Sequence, residues 1–506
     1  MAMKMLSFLY SLNSLKRIAA VSALALTPLA CDDFLDKPVQ GELLSQNFPT
    51  TAQDALGATN AMYNTLRDGS FNSGLFPIPD IMSDDAHKGS NPTDGAASIG
   101  PYDKFQHIPT EGSLMSWWSV LYQGIKRANV VLEKIPSIGM EESLKSRYLA
   151  EARFLRALFY FDLVRAWGDV PIVIAVETPA TLERSPASEI YSLIVEDLLT
   201  AIQSLPERSE YAAADLGRAT KGAAKALLGK VYLYQGDYVN AEKYLLEVIN
   251  SGQYSLMPSF ADANSKSGEF GAESVFEVGA IGVEGLEKGG GQYGNVQGVR
   301  GTPNRGWGFN RPSLDLMNAF ESDDPRRDAT IIFLGEMLDG ITIIGDNPST
   351  PDETRDGSGN LIEIECYNQK VWTPGTNVPS QFDHNRRLIR YADVLLMAAE
   401  VLNHNGKDTD ALVYLNMVRE RARGGNDAIL PDIAATGTAL GDLIFHERRV
   451  ELALEGHRFW DLVRTGRAEA VLAPLGFQKG KHERLAIPQT EVDLSRGALK
   501  QSEAWK

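Results

Sequence analysis

The sequence predicts a mainly α-helical protein: a helical-repeat scaffold carrying long irregular loop insertions and a few short β-strands. Three observations predict it. Lys221 to Tyr254 reads as two short helices packed on each other. A second stretch, Leu396 to Val418, repeats that pattern. Long segments rich in Gly, Pro, Ser and Asp separate the helical motifs. At 506 residues the chain exceeds the roughly 250–300 residues at which a single core stops growing; repeats evade that limit by extending the core sideways.

In the first stretch, Ala224, Leu227, Leu228 and Val231 recur at helical spacing and form one apolar stripe. Gly229 lies inside that helix, where glycine costs roughly 1 kcal/mol relative to alanine. A cost of that size implies that a neighbouring helix needs the room. Gln235-Gly236-Asp237 breaks the helix, and Ala241, Leu245 and Val248 carry the second stripe. The set Leu228, Gly229, Tyr232, Gly236, Ala241 and Leu245 has the spacing of a tetratricopeptide repeat. Lys225 stands where that repeat has an early tryptophan, and its late proline is missing. The second stretch runs Leu396-Met-Ala-Ala-Glu400, a break at Asn405-Gly406-Lys407, then Ala411, Leu415 and Val418. Measured from the loop glycine, Ala411 and Leu415 fall where Ala241 and Leu245 fell. One such pair cannot bury its face alone, so helix pairs must stack.

Hydrophobic residues make up 43% of the chain, an ordinary share for a globular protein, and the formal net charge is -17. This acidic balance argues against nucleic-acid binding. Two cysteines, Cys31 and Cys366, make no disulfide framework.

Residues 1–30 read as an export signal. Lys16-Arg17 supplies the positive end, and the apolar run Ile18 to Leu26 is too short to span a bilayer. Small or apolar residues, Leu29-Ala30, precede Cys31. Either Cys31 carries diacylglycerol, as in a bacterial lipoprotein, or it is an ordinary cysteine near a conventional cleavage site; Pro28 stands where a lipobox commonly has leucine. Two or three acyl chains, at about 0.8 kcal/mol per buried methylene, would anchor the protein stably. Beyond Cys31, Ala52 to Leu66 is a helix capped by Thr50 or Thr51.

Four separated motifs carry a family resemblance. The opening CDDFLD from Cys31, with the helix ending Asn60-Ala-Met-Tyr-Asn64, resembles the SusD/RagB nutrient-binding lipoproteins of Bacteroidetes. Tyr148 to Pro171, YLAEARFLRALFYFDLVRAWGDVP, is similar to that family's N-terminal motif, and Glu447 to Arg464, ERRVELALEGHRFWDLVR, to its C-terminal signature. Leu485-Ala-Ile-Pro-Gln-Thr-Glu491, Leu499-Lys-Gln501 and Trp505 resemble the family ending, with Ser495-Arg-Gly in place of an asparagine-containing turn. The resemblance implies a signal peptide over 1–30 and a single SusD-like domain over 31–506, with an N-terminal part (31–254) and a C-terminal part bearing the ligand-face loops (255–506).

Read from the residues alone, the motifs are structural. Leu149, Phe154, Leu158, Phe161 and Val164 line one helix, with Arg153, Arg156 and Arg165 among acids and placed to bond carbonyls of adjacent helices. Glu447, Glu451 and Glu455 recur every four residues, and Asp461 and Arg464 are three apart, the spacing of an ion-pair network, with a helix break at Gly456. Residues 69–112, 255–312 and 335–385 are irregular, apart from short strands at Val275–Val278 and Leu361–Glu365. Loops this long make a binding face.

Known catalytic spacings are missing from the sequence. The seven histidines have no metal-ligand spacing, and His446-Glu447 lacks the second histidine of a zinc protease. Asp84-Asp85 is a carboxylate pair in a loop, but a glycosidase needs two acids set across a bound sugar, about 5–10 Å apart. Asp352, Thr354, Asp356, Gly357, Ser358, Asn360 and Glu363 have the spacing of a calcium loop; the alternative is a hairpin turn at Asp356-Gly-Ser-Gly feeding a strand from Leu361. No other cofactor is expected. Trp117, Trp118, Trp167 and Trp460 fall in helical motifs and are assigned to the core. Trp307 and Trp372 remain in loop segments with Tyr102 and Tyr293, and exposed aromatics beside polar groups suit the flat faces of sugar rings. Trp307, Trp372, Tyr102, Tyr293 and Asp84 are therefore the candidate ligand residues.

The resemblance then implies a non-catalytic receptor on the outer surface of the outer membrane, binding an oligosaccharide and lidding a SusC-like TonB-dependent transporter. The rival class is a helical glycoside hydrolase or lyase. A receptor for a peptide nutrient and a scaffold for proteins remain alternatives.

Overall fold

The structure, a computed structural model, describes residues 48–73, 77–179, 181–282, 292–374 and 383–506. The export segment and Cys31 lie outside the described residues. Residues 51–506 make one compact unit.

Its frame is a stack of helices: α1 (Ala52–Leu66), α2 (Gly112–Lys134), α3 (Glu142–Trp167), α4 (Ala187–Ser204), α5 (Lys221–Gln235) and α6 (Tyr238–Asn250), each packed on its predecessor. After an insertion of some 140 residues the stack resumes with α7 (Tyr391–His404), which packs directly on α6, then α8 (Asp408–Arg423) and α9 (Gly437–Leu452), with α10 (Arg458–Arg464) following. The two tetratricopeptide-like units read from the sequence are α5–α6 and α7–α8. They are neighbours in space although the insertion separates them in sequence. Among the described residues no helix is long and apolar enough to cross a membrane.

Local chemistry sets the helix ends. Thr51, rather than Thr50, caps α1 in a reciprocal box with Asp54. Gly236 ends α5 in the left-handed region at φ 74°, where a Cβ would strain the backbone, and Asp237 caps α6 by accepting from the Asn240 amide. Gly229 does what its cost implied: a Cβ there would sit 2.7 Å from Leu245 Cγ. Ala241 and Leu245 are fully buried against it.

The side chains of α3 are buried around nearly its whole circumference, because α2 and α4 flank it and the C-terminal tail reaches its end. There the Trp167 indole N–H donates to the Ala486 carbonyl. Its arginines meet carboxylates rather than neighbouring carbonyls: Arg153 and Arg156 both grip Asp197 on α4, and Arg165 pairs with Asp162.

Among the described residues five two-stranded antiparallel ladders form; every strand lies in the insertion except Ala86–Gly89, which lies between α1 and α2. β1 (Ala86–Gly89) pairs with β3 (Phe309–Pro312); β2 (Ser274–Val278) with β10 (Arg386–Arg390); β4 (Ile331–Phe333) with β9 (Cys366–Asn368). β5 (Met337–Leu338) pairs with β6 (Ile341–Thr342), and β7 (Glu353–Arg355) with β8 (Leu361–Ile364). The β2–β10 ladder brings the two ends of the insertion together beside α7.

Buried charge locks insertion to scaffold. Glu447 and Glu451 on α9, and Glu455 just beyond it, do not pair along their own helix. Arg326 and Arg419 hold Glu447; Arg390 and Arg421 hold Glu451; Arg390 and Lys370 hold Glu455. Burial alone would raise the Glu451 carboxyl, but Arg421, Arg390 and Arg326 outweigh it and hold it below the usual carboxylate range. The Asp461–Arg464 pair forms as spaced, at 2.8 Å, and Gly456 follows the end of α9 at φ 85°.

Candidate functional site

Trp307 is set by its neighbours. A Cβ on Gly306 would lie 2.4 Å from the Asn295 carbonyl oxygen, so that backbone crosses the 292–297 helix closely. The Trp307 amide donates to the Asn295 carbonyl, and the Gly308 amide to that of Gly298. With the backbone pinned on both sides, the indole turns outward. It is 42% exposed, and among the described tryptophans it alone is an exposed side chain.

Trp372 is half-buried and fixed. Its ring packs against Val299, Ile332, Ile343 and Tyr367. Its N–H donates to Asp339 Oδ2 at 2.6 Å. Asp339 and Gly340 form the tight turn of the β5–β6 hairpin, both at positive φ (52° and 76°), the geometry that Asp-Gly favours. The Arg305 guanidinium lies 5.1 Å from the centre of the Trp372 ring. Arg300 ties the surrounding loops together through Asp94 and Asp346. Arg305, Trp372 and Asp339 thus form one cluster, and the exposed Trp307 stands two residues along the chain from Arg305. A cleft of about 690 Å³ lies elsewhere, at the seam of α5, α7 and α9, lined by Tyr238, His404, Phe445 and Arg467 among others, and neither tryptophan lines it.

The other sequence candidates fare differently. Tyr102 is a core residue, 1% exposed: its hydroxyl shares a hydrogen bond with Ser113 and its ring stacks on His107. It presents no face to a ligand, because the turn 100–103 folds it under the aromatic cluster of Phe105, Phe477, His482 and Trp505. Asp84 is also withdrawn. Both its carboxylate oxygens accept from Arg458, and Arg449 lies 3.0 Å away. Tyr293 is half-buried on the 292–297 helix, one face covered by the Arg386 guanidinium at 5.3 Å; burial pushes its phenol up to about 12.

The calcium spacing resolves into the hairpin β7–β8. Asp356 turns back on its own loop, accepting from the amides of Ser358 and Asn360 and from the Asn360 side chain. Glu363 pairs with Arg311 at 2.7 Å, and Asp352 accepts from Asn347. The three carboxylates thus have three separate partners and do not converge on a common point. Among the described residues no group of three or more His, Cys, Asp or Glu is arranged to hold a metal ion.

Sequence reasoning passed over Arg305 and Asp339. The only signal was position: Arg305 stands two residues before Trp307, and Asp339-Gly340 is a hairpin dipeptide.

Residues 272–483 match the model of the SusD family, and residues 80–233 match a second family model, described as "Starch-binding associating with outer membrane". SusD-like protein P2 of Formosa agariphila is 29% identical over 497 residues, covering 94% of this chain and 94% of that protein. Among solved structures, a laminarin binding SusD-like protein superposes with a TM-score of 0.75 at 32% identity, covering 90% of this chain and 99% of the other. Surface glycan-binding protein A from Bacteroides thetaiotaomicron, solved with laminarihexaose, gives a TM-score of 0.73 at 27% identity, covering 89% and 99%.

Proposed function

The chain belongs to the SusD family, and on that premise we propose that it is a non-catalytic glycan receptor of the cell surface. In this reading Cys31 is lipidated and anchors the protein to the outer face of the outer membrane. An oligosaccharide docks on the Trp307–Trp372 surface and passes to a SusC-like TonB-dependent transporter. Side chains alone make the site, with no cofactor.

The observation that carries this reading is the Trp307 indole, held outward by a backbone pinned at both neighbouring glycines. An aromatic face beside Arg305 and Asp339 offers stacking for the C–H face of a sugar and hydrogen bonding for its hydroxyls. The names of two structural relatives, a laminarin binding protein and a glycan-binding protein, support a glycan as the ligand. The second family description supports the outer membrane as the location. The rival enzyme reading loses its carboxylate pair, since Asp84 is already bound by two arginines.

The test is a glycan array followed by calorimetric titration of the hits, with product analysis of each glycan after long incubation. Binding without turnover, lost in Trp307→Ala, supports the receptor. Cleavage of a bound glycan would move the assignment to a hydrolase or lyase.

A further inference from the structure

We infer that the glycan taken by this surface is anionic, bearing a carboxylate or a sulfate ester, and that Arg305 is the residue that reads its charge. This rests on the reading of the Trp307–Trp372 surface as a glycan platform.

Arg305 is 4% exposed. Its Nη1 donates to the Thr373 carbonyl at 3.2 Å, a long bond, and its buried Nε has no hydrogen-bond partner. A guanidinium carries five N–H donors and a permanent charge, so most of its bonding capacity is unspent. Six arginines have a buried Nε without a hydrogen bond: Arg147, Arg165, Arg305, Arg311, Arg387 and Arg421. Five of them lie within 4 Å of a carboxylate, on Glu151, Asp162, Glu363, Glu277 and Glu273 respectively. Arg305 is the exception among the described residues. Its nearest acid of note, Asp339, is turned to the Trp372 indole N–H instead.

A covered cation whose nearby carboxylate, Asp339, is engaged by another donor is left short of hydrogen-bonded compensation, which is costly. This protein supplies a carboxylate in each of the other five cases. A neutral hydroxyl would take a hydrogen bond from Arg305 but would leave its charge uncompensated, whereas a carboxylate or sulfate meets both demands and fits the planar fork. The position is right for that role. The guanidinium lies 5.1 Å from the centre of the Trp372 ring, and Trp307 follows two residues later, within about 7 Å along the backbone. An oligosaccharide held on Trp307 is long enough to span that separation.

The test uses the full-length protein in detergent and calorimetry with pairs of oligosaccharides matched except for charge. One pair is tetragalacturonate and its methyl ester; the other is a carrageenan tetrasaccharide and its desulfated form; laminarihexaose is the neutral glucan. The expected result is that an anionic member binds at least tenfold tighter than its neutral partner, with the preference shrinking as salt rises. Whichever pair shows the preference separates uronate from sulfate. Arg305→Gln should remove the preference and Arg305→Lys retain part of it, while Trp307→Ala should weaken both members alike. Equal binding of charged and neutral members by the wild-type protein, or tightest binding of laminarihexaose, overturns the inference and leaves the platform standing if Trp307→Ala still abolishes binding. A panel with no binder overturns both. Should Arg305→Gln fail to fold, the wild-type pairwise comparison decides without it.

Discussion

Arg458 closes on Asp84 with two parallel hydrogen bonds of 2.7 Å, joining residues 374 positions apart in the chain. Asp85 beside it takes Arg449 at 2.7 Å. A pair that looked in sequence like loop carboxylates free for a ligand is thus the clasp between the segment joining α1 to α2 and the helical C-terminal motif. Burial would raise the Asp84 carboxyl, but the two arginines outweigh it and hold it below its ordinary range.

Asp84→Ala should therefore act on stability rather than on binding. Removing one partner of a buried pair leaves the other charged and unpaired, which typically costs about 3–5 kcal/mol. Denaturant unfolding should show that loss while glycan affinity at a permissive temperature stays within twofold. An unchanged midpoint with lost affinity would return Asp84 to the binding site.

Overpacking the repeat seam is the second prediction. Ala241→Leu drives a larger side chain into the contact between α5 and α6, at a cost of about 1–3 kcal/mol. Gly229→Ala should also destabilise, because its new Cβ would fall 2.7 Å from Leu245 Cγ. Helix propensity alone predicts the opposite sign for Gly229→Ala, so a raised melting temperature would show that the seam yields easily.

The two tryptophans should separate. Trp307→Ala removes an exposed ring and should cost at least tenfold in glycan affinity, about 1.4 kcal/mol, with the melting temperature unchanged. Trp372→Ala removes the partner of Asp339 and Arg305 and should lower both affinity and melting temperature. Full affinity in a folded Trp307→Ala variant would remove the site assignment.

Acid should weaken the fold in two stages. Burial pushes His107 down to about 3, helped by His482 and Lys481; burial and Lys230 take His457 to about 3; burial and Lys481 take His482 to about 4. An unfolded histidine titrates near ~6.5, so below that pH the unfolded chain binds protons that the folded chain refuses, and stability falls. Asp80 opposes this: burial pushes it to about 7, so it keeps in the folded state a proton that the unfolded chain releases above ~3.9. Glu151, Glu269 and Glu365, raised by burial, act in the same sense as Asp80, while His384, lowered by burial, acts with the three histidines; the expected outcome is that the histidines prevail and melting temperature declines from about pH 6.5 toward pH 4.5. A second, steeper loss follows below about pH 4.5, as unfolded carboxylates begin to take up protons that Asp84 and Glu451, held low in the fold, resist. His107→Phe should flatten the first slope; an identical slope would place the titration elsewhere.

Anchoring is the remaining prediction. Cys31→Ala should abolish metabolic labelling with palmitate and release the protein from membranes. Labelling that persists in the variant would exclude Cys31 as the lipidated residue.

The sequence by itself determined the helical scaffold. A repeat is a local pattern, and the stripes of Leu227 and Leu245, the break at Gly236 and the small residues at Gly229 and Ala241 all lie within one short stretch whose physics is settled by near neighbours. The same holds for the core tryptophans, whose helices are legible from spacing. Only the tertiary structure decided which loop residues face outward. Tyr102 and Trp307 look alike in sequence, each an aromatic in a polar segment. One is drawn under His107 and Trp505, from the opposite end of the chain; the other is turned out where residues 306 and 308 cross the 292–297 helix. Asp84 likewise met its arginine across 374 positions, and Arg305 stood out only once the carboxylates serving every comparable arginine had been located in space. Loop exposure and charge pairing depend on contacts between segments far apart in the chain, and local spacing carries no record of them.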